Sequence, residues 1–228
     1  FRRDEIVTEE NAVATAEGVI AEAQRLAAET WKAKKTFFLV NGTTCGNEAM
    51  VLSSVKEGEK IIVPRNVHKS VLMGLILCGA TPVYVMPEYS TKWQMWGGVT
   101  PETIEKAFAE TPDAKAVLLV SPTYYGLCSD LQAIAEICHC HNAALLVDEA
   151  HGSHLYFSEQ LPLGALESGA DACAQSIHKT AGSFTQSSFL SLGSGRLDEA
   201  RVAANLQMVQ STSPSYLLMA SLDAARRG

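Results

Sequence analysis

The sequence predicts an α/β domain in which helices cover both faces of a mainly parallel seven-stranded sheet. The first observation is that short apolar runs alternate with helical stretches along the chain. The second is that these runs are apolar throughout, as strands buried on both faces are. The third is that 228 residues, 47% of them hydrophobic, suffice for a large core. Because no repeat or change in composition marks a boundary, we expect one domain over residues 1–228.

Seven runs are short, apolar and of the β-forming type, and they are predicted to be strands. They are residues 36–40, 60–63, 82–85, 116–120, 144–147, 172–175 and 188–192. The predicted helices between and after them are residues 11–31, 45–55, 67–79, 101–110, 129–140, 196–210 and 214–227. Alternation of this kind is typical of a parallel sheet covered by helices. Residues 86–100 are predicted to be the longest irregular connection.

The distinctive polar stretches mostly follow a predicted strand directly. They are residues 41–45, 64–68, 121–125 and 148–151. In open sheets of this class, ligands bind where the strands end and the loops begin. These four stretches are therefore the candidate parts of a binding site.

The charge and hydropathy of the chain exclude several classes of partner. A formal net charge of −7, from 18 basic and 25 acidic residues, disfavours nucleic acid or an anionic membrane surface. A small cationic substrate is better tolerated. No apolar run approaches the roughly 20 residues that span a bilayer, and residues 1–5 lack the apolar core of a signal peptide. We therefore expect a soluble protein with neither nucleic acid nor membrane as its partner.

The six cysteines predict a reducing compartment, which we take to be the cytoplasm. They lie mostly in apolar stretches rather than in a loop-rich disulfide framework, as buried small hydrophobic residues do. Residues 138–141 read Cys-His-Cys-His, which resembles a metal site. However, helix positions two apart point to different faces, and no second Cys/His pair completes a tetrahedral shell. No metal site is predicted.

The apolar run that ends in Asp148-Glu149-Ala150-His151 matches the sequence motif of the magnesium-binding acidic box of nucleotide-hydrolysing helicases. Such an ATPase also needs a loop of the form G-x-x-x-x-G-K-[ST] to hold phosphates, and the sequence contains none. A metal site built from Asp148, Glu149, His151 and His154 is a further interpretation, but no additional ligand cluster supports it. Asp148 therefore needs a different partner.

Two stretches carry the residue types of an anion and amine site. Gly42-Thr43-Thr44, after a strand and before a helix, offers free amides and two hydroxyls that suit a phosphate, although an ordinary Thr N-cap is the simpler interpretation of this stretch alone. Lys179 is predicted to lie in a loop between two apolar strands, among hydroxyls and an imidazole. Desolvation there would lower the pKa of the Lys179 amine toward the range that imine formation needs.

The stretch around Lys179 resembles the attachment-site signature of the pyridoxal-phosphate-dependent Orn/Lys/Arg decarboxylase family, which is S-x-H-K, small residues and then Q-[STA]-[STA]. Residues 174–188 read AQSIHKTAGSFTQSS and match every defining position. The similarity extends over FFLVNGTTCGNEAM, PRNVHKSV, SPTYYGLCSDL, LLVDEAHGSH and STSPSYLLMASLDAARR. The resemblance implies a fold-type-I, transferase-like large domain that binds pyridoxal 5'-phosphate.

The resemblance also implies a role for individual residues. Lys179 is expected to carry the cofactor covalently, and Asp148 to keep the pyridine nitrogen protonated so that the ring accepts electrons. His68 is expected to stack on the ring, and His151 to lie near its phenolic oxygen. The phosphate is expected to be held by Thr43, Thr44, the amide of Cys45, Ser176 and His178. Cys45 stands where many relatives carry a hydroxyl residue, so the expected phosphate contact is assigned only to its backbone amide.

The family resemblance predicts a reaction and a substrate class. We expect decarboxylation of a basic L-amino acid, arginine first and then lysine or ornithine, in polyamine biosynthesis. The chain is expected to be the cofactor-binding large domain, beginning inside the family's N-terminal part and ending before its C-terminal small domain. Alternatives are a catalytically silent scaffold or regulatory relative, or an aminotransferase or lyase on the same fold.

The family's sites lie at a two-fold interface, which implies a homodimer or a higher homo-oligomer of dimers. The segment 211–216, Ser-Thr-Ser-Pro-Ser-Tyr, is predicted to reach toward the partner's phosphate with Thr212, Ser213 or Ser215. A plain N-cap for a helix opened by Pro214 is the other interpretation. Thr212 and Ser213 are therefore candidate cofactor-binding residues.

Overall fold

Seven strands form a single sheet in the computed structural model, which describes residues 18–228, so residues 11–17 of the first predicted helix lie outside the described range. The strands of this sheet are β1 Lys35–Leu39, β2 Lys60–Pro64, β3 Thr81–Val85, β6 Ala116–Val120, β7 Ala144–Asp148, β8 Ala172–Gln175 and β9 Ser188–Leu192. They lie in the order β1-β9-β8-β7-β6-β2-β3. Strands β3, β2, β6, β7 and β8 pair in parallel, and β9 pairs antiparallel with both β8 and β1. The predicted mainly parallel sheet of seven strands is confirmed.

The helices alternate with the strands along the chain. They are α1 Gly18–Thr30, α2 Gly42–Ser54, α3 Lys69–Cys78, α4 Pro101–Glu110, α5 Leu131–Cys140, α6 Ile177–Thr180, α7 Glu199–Val209 and α8 Tyr216–Arg227. Among the residues described, no helix is both long and apolar enough to cross a membrane.

Two hydrophobic cores, one on each face of the sheet, hold the layers together. Side chains of α1, α4, α5 and α8 pack with one set of strand residues, such as Phe38 and Val147. Side chains of α2, α3 and α7 pack with the alternate set, such as Phe37 and Leu146. Because successive strand residues point to opposite faces, apolar strands bury both sets. The predicted helices on both faces are confirmed.

The structure corrects several predicted boundaries. Helix α2 begins at Gly42 rather than at residue 45, so the Gly-Thr-Thr stretch is its first turn. Helix α8 begins at Tyr216 with Ser215 as its N-cap, so Pro214 precedes the helix instead of opening it. The start of α2 was predicted too late because Gly and Thr have low helix propensity. The start of α8 was predicted too early because Pro is common at the first helical position.

Two further predictions were wrong in detail. The connection 86–100 is not wholly irregular, because Tyr89–Ser90 (β4) and Met95–Trp96 (β5) pair as a small antiparallel hairpin. Lys179 lies in the short helix α6 rather than in a loop. Two-residue strands and a four-residue helix are too short to produce a readable periodicity.

Candidate active site

A cavity of about 790 Å³ opens where the parallel strands end. Its walls come from the residues that follow β1, β2, β6, β7 and β8, together with Trp96 of the hairpin. The sequence-predicted residues that line it are Thr43, Thr44, His68, Asp148, His151, Ser176, His178 and Lys179. The strand-end stretches therefore meet in one site.

The start of α2 forms an anion-compatible corner of this cavity. Asn41, the N-cap residue, makes no side-chain capping bond, so the first amides of α2 remain available as donors. The hydroxyl of Thr43 lies 2.6 Å from Ser176 Oγ and 3.1 Å from Ser188 Oγ. Thr44 is exposed in the cavity. We call this part of the cavity the anion corner; it consists of the first amides of α2 and the hydroxyls of Thr43, Thr44 and Ser176, with no carboxylate among them.

Cys45 contributes nothing to the cavity through its side chain. The Cys45 thiol is buried in the second core and contacts Gly42 O at 3.1 Å. Burial raises the pKa of this thiol to about 12, so it stays protonated. Only the backbone of Cys45 is left for the role that the resemblance implies.

Asp148 ends β7 at the floor of the cavity and is buried. Asn47 Nδ2 donates to Asp148 Oδ2 at 2.7 Å, and Ala150 N donates to Oδ1 at 3.2 Å. Burial raises the pKa of Asp148 despite these donors and the positive charges nearby. A carboxyl in this state favours either a proton or a cationic partner within the cavity.

Lys179 and His151 stand together at the cavity wall. Lys179 Nζ lies 3.2 Å from His151 Nε2. Burial, and then the charge of Lys179, lower the pKa of His151 below its usual value. The His151 ring therefore stays neutral at pH 7, so its Nε2 can accept a hydrogen bond from the Lys179 amine.

His68 and His178 line the cavity from α3 and α6 respectively. His68 is the N-cap of α3, where its Nδ1 accepts from Ser70 N at 3.3 Å and lies 2.8 Å from Ser70 Oγ. The Nδ1–H of His178 donates to Ser187 O at 2.9 Å, so Nε2 is the ring nitrogen not used in this bond.

Thr212 and Ser213 do not line this cavity and are exposed. Their segment lies beside the start of α2, because Ser211 N donates to Asn41 Oδ1 at 3.0 Å. Their predicted contact with a partner's phosphate remains a prediction.

Sequence reasoning missed the residues that support the predicted ones. Asn47 is the clearest case, because it is buried in α2 and bonds directly to Asp148. Its signal was available, since a polar amide in the middle of a buried helix needs a polar partner. Tyr124 lies in the candidate stretch 121–125 but was given no role of its own; it is a wall residue whose ring meets His151 edge-on at 5.6 Å between centroids.

Several residues of the alternative metal sites have other partners. Glu149 turns away from the cavity, His139 Nε2 lies 3.0 Å from Asp171 Oδ2, and His141 stacks on Phe108. Over residues 18–228, no group of three or more His, Cys, Asp or Glu side chains is arranged to hold a metal ion.

Glu149 anchors the segments on either side of the site. Its carboxylate accepts from Ala165 N at 2.6 Å, Gln175 Nε2 at 2.8 Å and the Tyr156 hydroxyl at 2.9 Å. Gln175 immediately precedes Ser176, and Glu149 lies between Asp148 and His151. The Glu149 network therefore joins the ends of β7 and β8.

Replacing Glu149 with Gln is expected to weaken the dependence of stability on pH. Burial raises the pKa of Glu149 in the folded protein from 4.5 to about 7. The folded state thus binds this proton more tightly than the unfolded state, and the free energy of unfolding falls as the pH rises from about 4.5 to 7, by about 3 kcal/mol. Urea unfolding at pH 5, 6 and 7 measures this. An equal fall in the parent and in Glu149→Gln would contradict the assignment.

The donor set of the cavity fits pyridoxal 5'-phosphate. The anion corner at α2 suits the phosphate, and Lys179 supplies a primary amine within the same cavity. Asp148, whose pKa is raised by burial, suits a protonated ring nitrogen as its cationic partner. Each of these three parts of the cofactor would thus find a matching group.

Comparisons with known proteins agree with this geometry. The chain is 50% identical to an arginine decarboxylase of Halalkalibacterium halodurans over 210 residues, which cover 92% of this chain and 43% of that protein. Lysine decarboxylase A from Pseudomonas aeruginosa superposes with a TM-score of 0.83 at 30% identity, over 96% of this chain and 32% of that one. A serine palmitoyltransferase of Sphingomonas wittichii gives 0.70 at 20% identity, over 91% of this chain and 50% of that one, which shows the fold alone.

The chain spans less than half the length of the arginine decarboxylase that it matches. Its fold is that of the fold-type-I pyridoxal-phosphate-dependent enzymes. A family model described as Orn/Lys/Arg decarboxylase, major domain, matches residues 5–228. The chain therefore belongs to the Orn/Lys/Arg decarboxylase family.

Proposed function

We propose that this chain is the cofactor-binding large domain of a pyridoxal-phosphate-dependent decarboxylase of basic L-amino acids. The observation that carries the proposal is the convergence of Lys179, Asp148 and the open start of α2 on one cavity. When bound, pyridoxal phosphate supplies the electron sink for the electron pair left at Cα as the carboxylate departs as carbon dioxide.

The chain's own residues prepare that chemistry. The Lys179 amine must lose a proton before it can form a covalent bond to a carbonyl carbon, and the neutral His151 ring, 3.2 Å away, accepts a hydrogen bond from this amine and orients it. Asp148 would hold the proton of a ring nitrogen by charge pairing. His68 and the anion corner would orient the ring and the phosphate from the cavity walls.

Arginine is the first choice of substrate, followed by lysine or ornithine. The relative named arginine decarboxylase is 50% identical, whereas the structure titled lysine decarboxylase A is 30% identical. Decarboxylation of any of the three gives a polyamine or its precursor, which supports a role in polyamine biosynthesis. All six cysteines are free, which supports a cytoplasmic location.

Mass analysis of products tests the proposal. The purified protein, loaded with cofactor, is incubated separately with arginine, lysine and ornithine, and loss of carbon dioxide from one of them is expected. A keto acid product would instead indicate an aminotransferase. A protein that binds the cofactor and converts none of the three would indicate a silent relative.

We further propose that the active unit is a homodimer or an oligomer of dimers, in which segment 211–216 approaches the partner's cavity. Thr212 and Ser213 are exposed and line no part of their own chain's cavity. Large apolar side chains at Met208 and Leu217, on either side of this segment, are more than 70% exposed. Burying such side chains against a second copy is favourable.

Mixing two inactive proteins tests this arrangement. One carries Lys179→Ala and the other carries Thr212→Ala with Ser213→Ala. If the segment acts on the partner's cavity, mixed dimers contain one site with both parts intact, so part of the activity returns. No recovery after verified subunit exchange, or full activity of a dilute monomer, would contradict the proposal.

A further inference from the structure

Four polar side chains form a continuous hydrogen-bonded chain from the floor of the cavity to its wall. Asp148 Oδ2 accepts from Asn47 Nδ2 at 2.7 Å, and Asn47 Nδ2 also donates to Ser70 Oγ at 2.9 Å. Ser70 Oγ lies 2.8 Å from His68 Nδ1. Asn47 is 1% exposed and Ser70 is fully buried, so water does not compete for these bonds.

The charge of Asp148 fixes the orientation of the Asn47 amide. Both Asp148 oxygens accept N–H donors, from Asn47 and from Ala150. Turning the amide over would set Asn47 Oδ1 against the carboxylate at 2.7 Å and leave the amide hydrogens without these acceptors. In the observed orientation only one polar atom of the amide is left without a hydrogen bond, namely Asn47 Oδ1, which has no partner among the described residues. The two hydrogens of Asn47 Nδ2 are therefore both committed.

The direction of the remaining bonds follows from that amide. Ser70 Oγ accepts from Asn47, so its single hydrogen is left for His68 Nδ1. Ser70 N also points at the same His68 nitrogen, at 3.3 Å. A ring nitrogen that faces two donors is an acceptor, so the ring hydrogen of His68 lies on Nε2.

We propose that Asn47 and Ser70 are positioning residues that set the Nε2–H tautomer of His68 and the orientation of Asp148 as one unit. The inference deepens the proposed function and rests on it for its catalytic meaning. Asp148 and His68 would meet the ring nitrogen and the ring face of the cofactor. The hydrogen-bonded chain Asp148–Asn47–Ser70–His68, called the relay below, links the orientations of these two side chains.

The alternative is that Asn47 and Ser70 only fasten α2 to α3. The chain offers a matched control, because Asn205 Nδ2 donates to Ser53 Oγ at the same 2.9 Å. This second pair is also buried and fastens α7 to the same helix α2, away from the cavity. A purely structural role predicts equal effects from the two pairs.

The experiment is ¹⁵N NMR of histidine-labelled protein without cofactor, with the His68 signals identified by their loss in His68→Gln. In the parent, Nδ1 is expected to show an unprotonated and Nε2 a protonated chemical shift. Ser70→Ala and Asn47→Ala should each move the His68 Nδ1 signal toward a mixture of tautomers. Ser53→Ala and Asn205→Ala should leave it unchanged while changing stability by a similar amount.

A second measurement is the affinity for pyridoxal phosphate. Loss of the amide donor to a charged group is expected to weaken binding by about tenfold to a hundredfold in Asn47→Ala, and not in Asn205→Ala. A parent His68 that carries its hydrogen on Nδ1, or unchanged His68 signals in both cavity variants, would overturn the relay. The tautomer of the parent is read without either cavity variant, so poor folding of Asn47→Ala leaves the test decisive. If the relay is found but no cofactor binds, only the proposed function fails.

Discussion

Replacing Lys179 with Ala is expected to abolish covalent cofactor attachment and to lower turnover by on the order of a thousandfold or more, which corresponds to about 4 kcal/mol of barrier. Lys179 lies in the cavity beside His151, a ring held neutral by burial and by the Lys179 charge. Borohydride reduction followed by peptide mapping should place the pyridoxyl label of the parent on Lys179. The labelled peptide is absent from the variant.

Lys69 provides the matched control, because it lines the same cavity. Lys69→Ala should keep the label on Lys179. A label on Lys69 in the parent, or on neither lysine, would refute the assignment. An independent readout is the pKa of His151, which should move back toward its usual value in Lys179→Ala because one of its two lowering causes is gone.

The fold was predictable because its determinants are local. The seven apolar runs and the helical stretches between them specify strands and helices by length and period, and strand ends place the polar stretches at one edge. The order β1-β9-β8-β7-β6-β2-β3, with β9 antiparallel, was not predictable from these patterns. Strand order depends on which long-range pairs form, and most strands of the seven-stranded sheet offer a similar apolar surface.

The candidate site was predictable where a residue type is tied to a chemical task. Lys179 stands in a stretch whose composition suits an amine site, and the family resemblance supplied the roles of Lys179 and Asp148. Asn47 was not singled out, because its role depends on a hydrogen bond of 2.7 Å to Asp148, which is 101 residues away in the sequence. Contacts of that kind appear only once the chain is folded.

Replacing Asp148 with Asn is expected to leave the fold intact and to cripple turnover. Burial raises the pKa of Asp148, so the ionised carboxylate is held at a desolvation cost that a neutral amide does not carry. Removing this cost offsets the loss of an acceptor for Asn47 or Ala150. The thermal unfolding midpoint should therefore change little.

Turnover depends on the negative charge that the Asp148→Asn variant lacks. A neutral amide cannot hold a proton on a ring nitrogen by charge pairing, so the electron sink weakens. We expect a loss of several kcal/mol of transition-state stabilisation, each tenfold in rate being about 1.4 kcal/mol. Steady-state kinetics per folded molecule, with the cofactor at saturation, measures it.

Asp171→Asn is the matched control, because Asp171 is also a buried acid beside the central strands but lies at their opposite end. Its carboxylate accepts from Leu145 N at 2.8 Å and lies 3.0 Å from His139 Nε2, and Asp171 is not among the residues that line the cavity. The change should reduce stability while the turnover of folded molecules persists. Near-normal turnover in folded Asp148→Asn would show that Asp148 does not sustain the electron sink, whatever the control does.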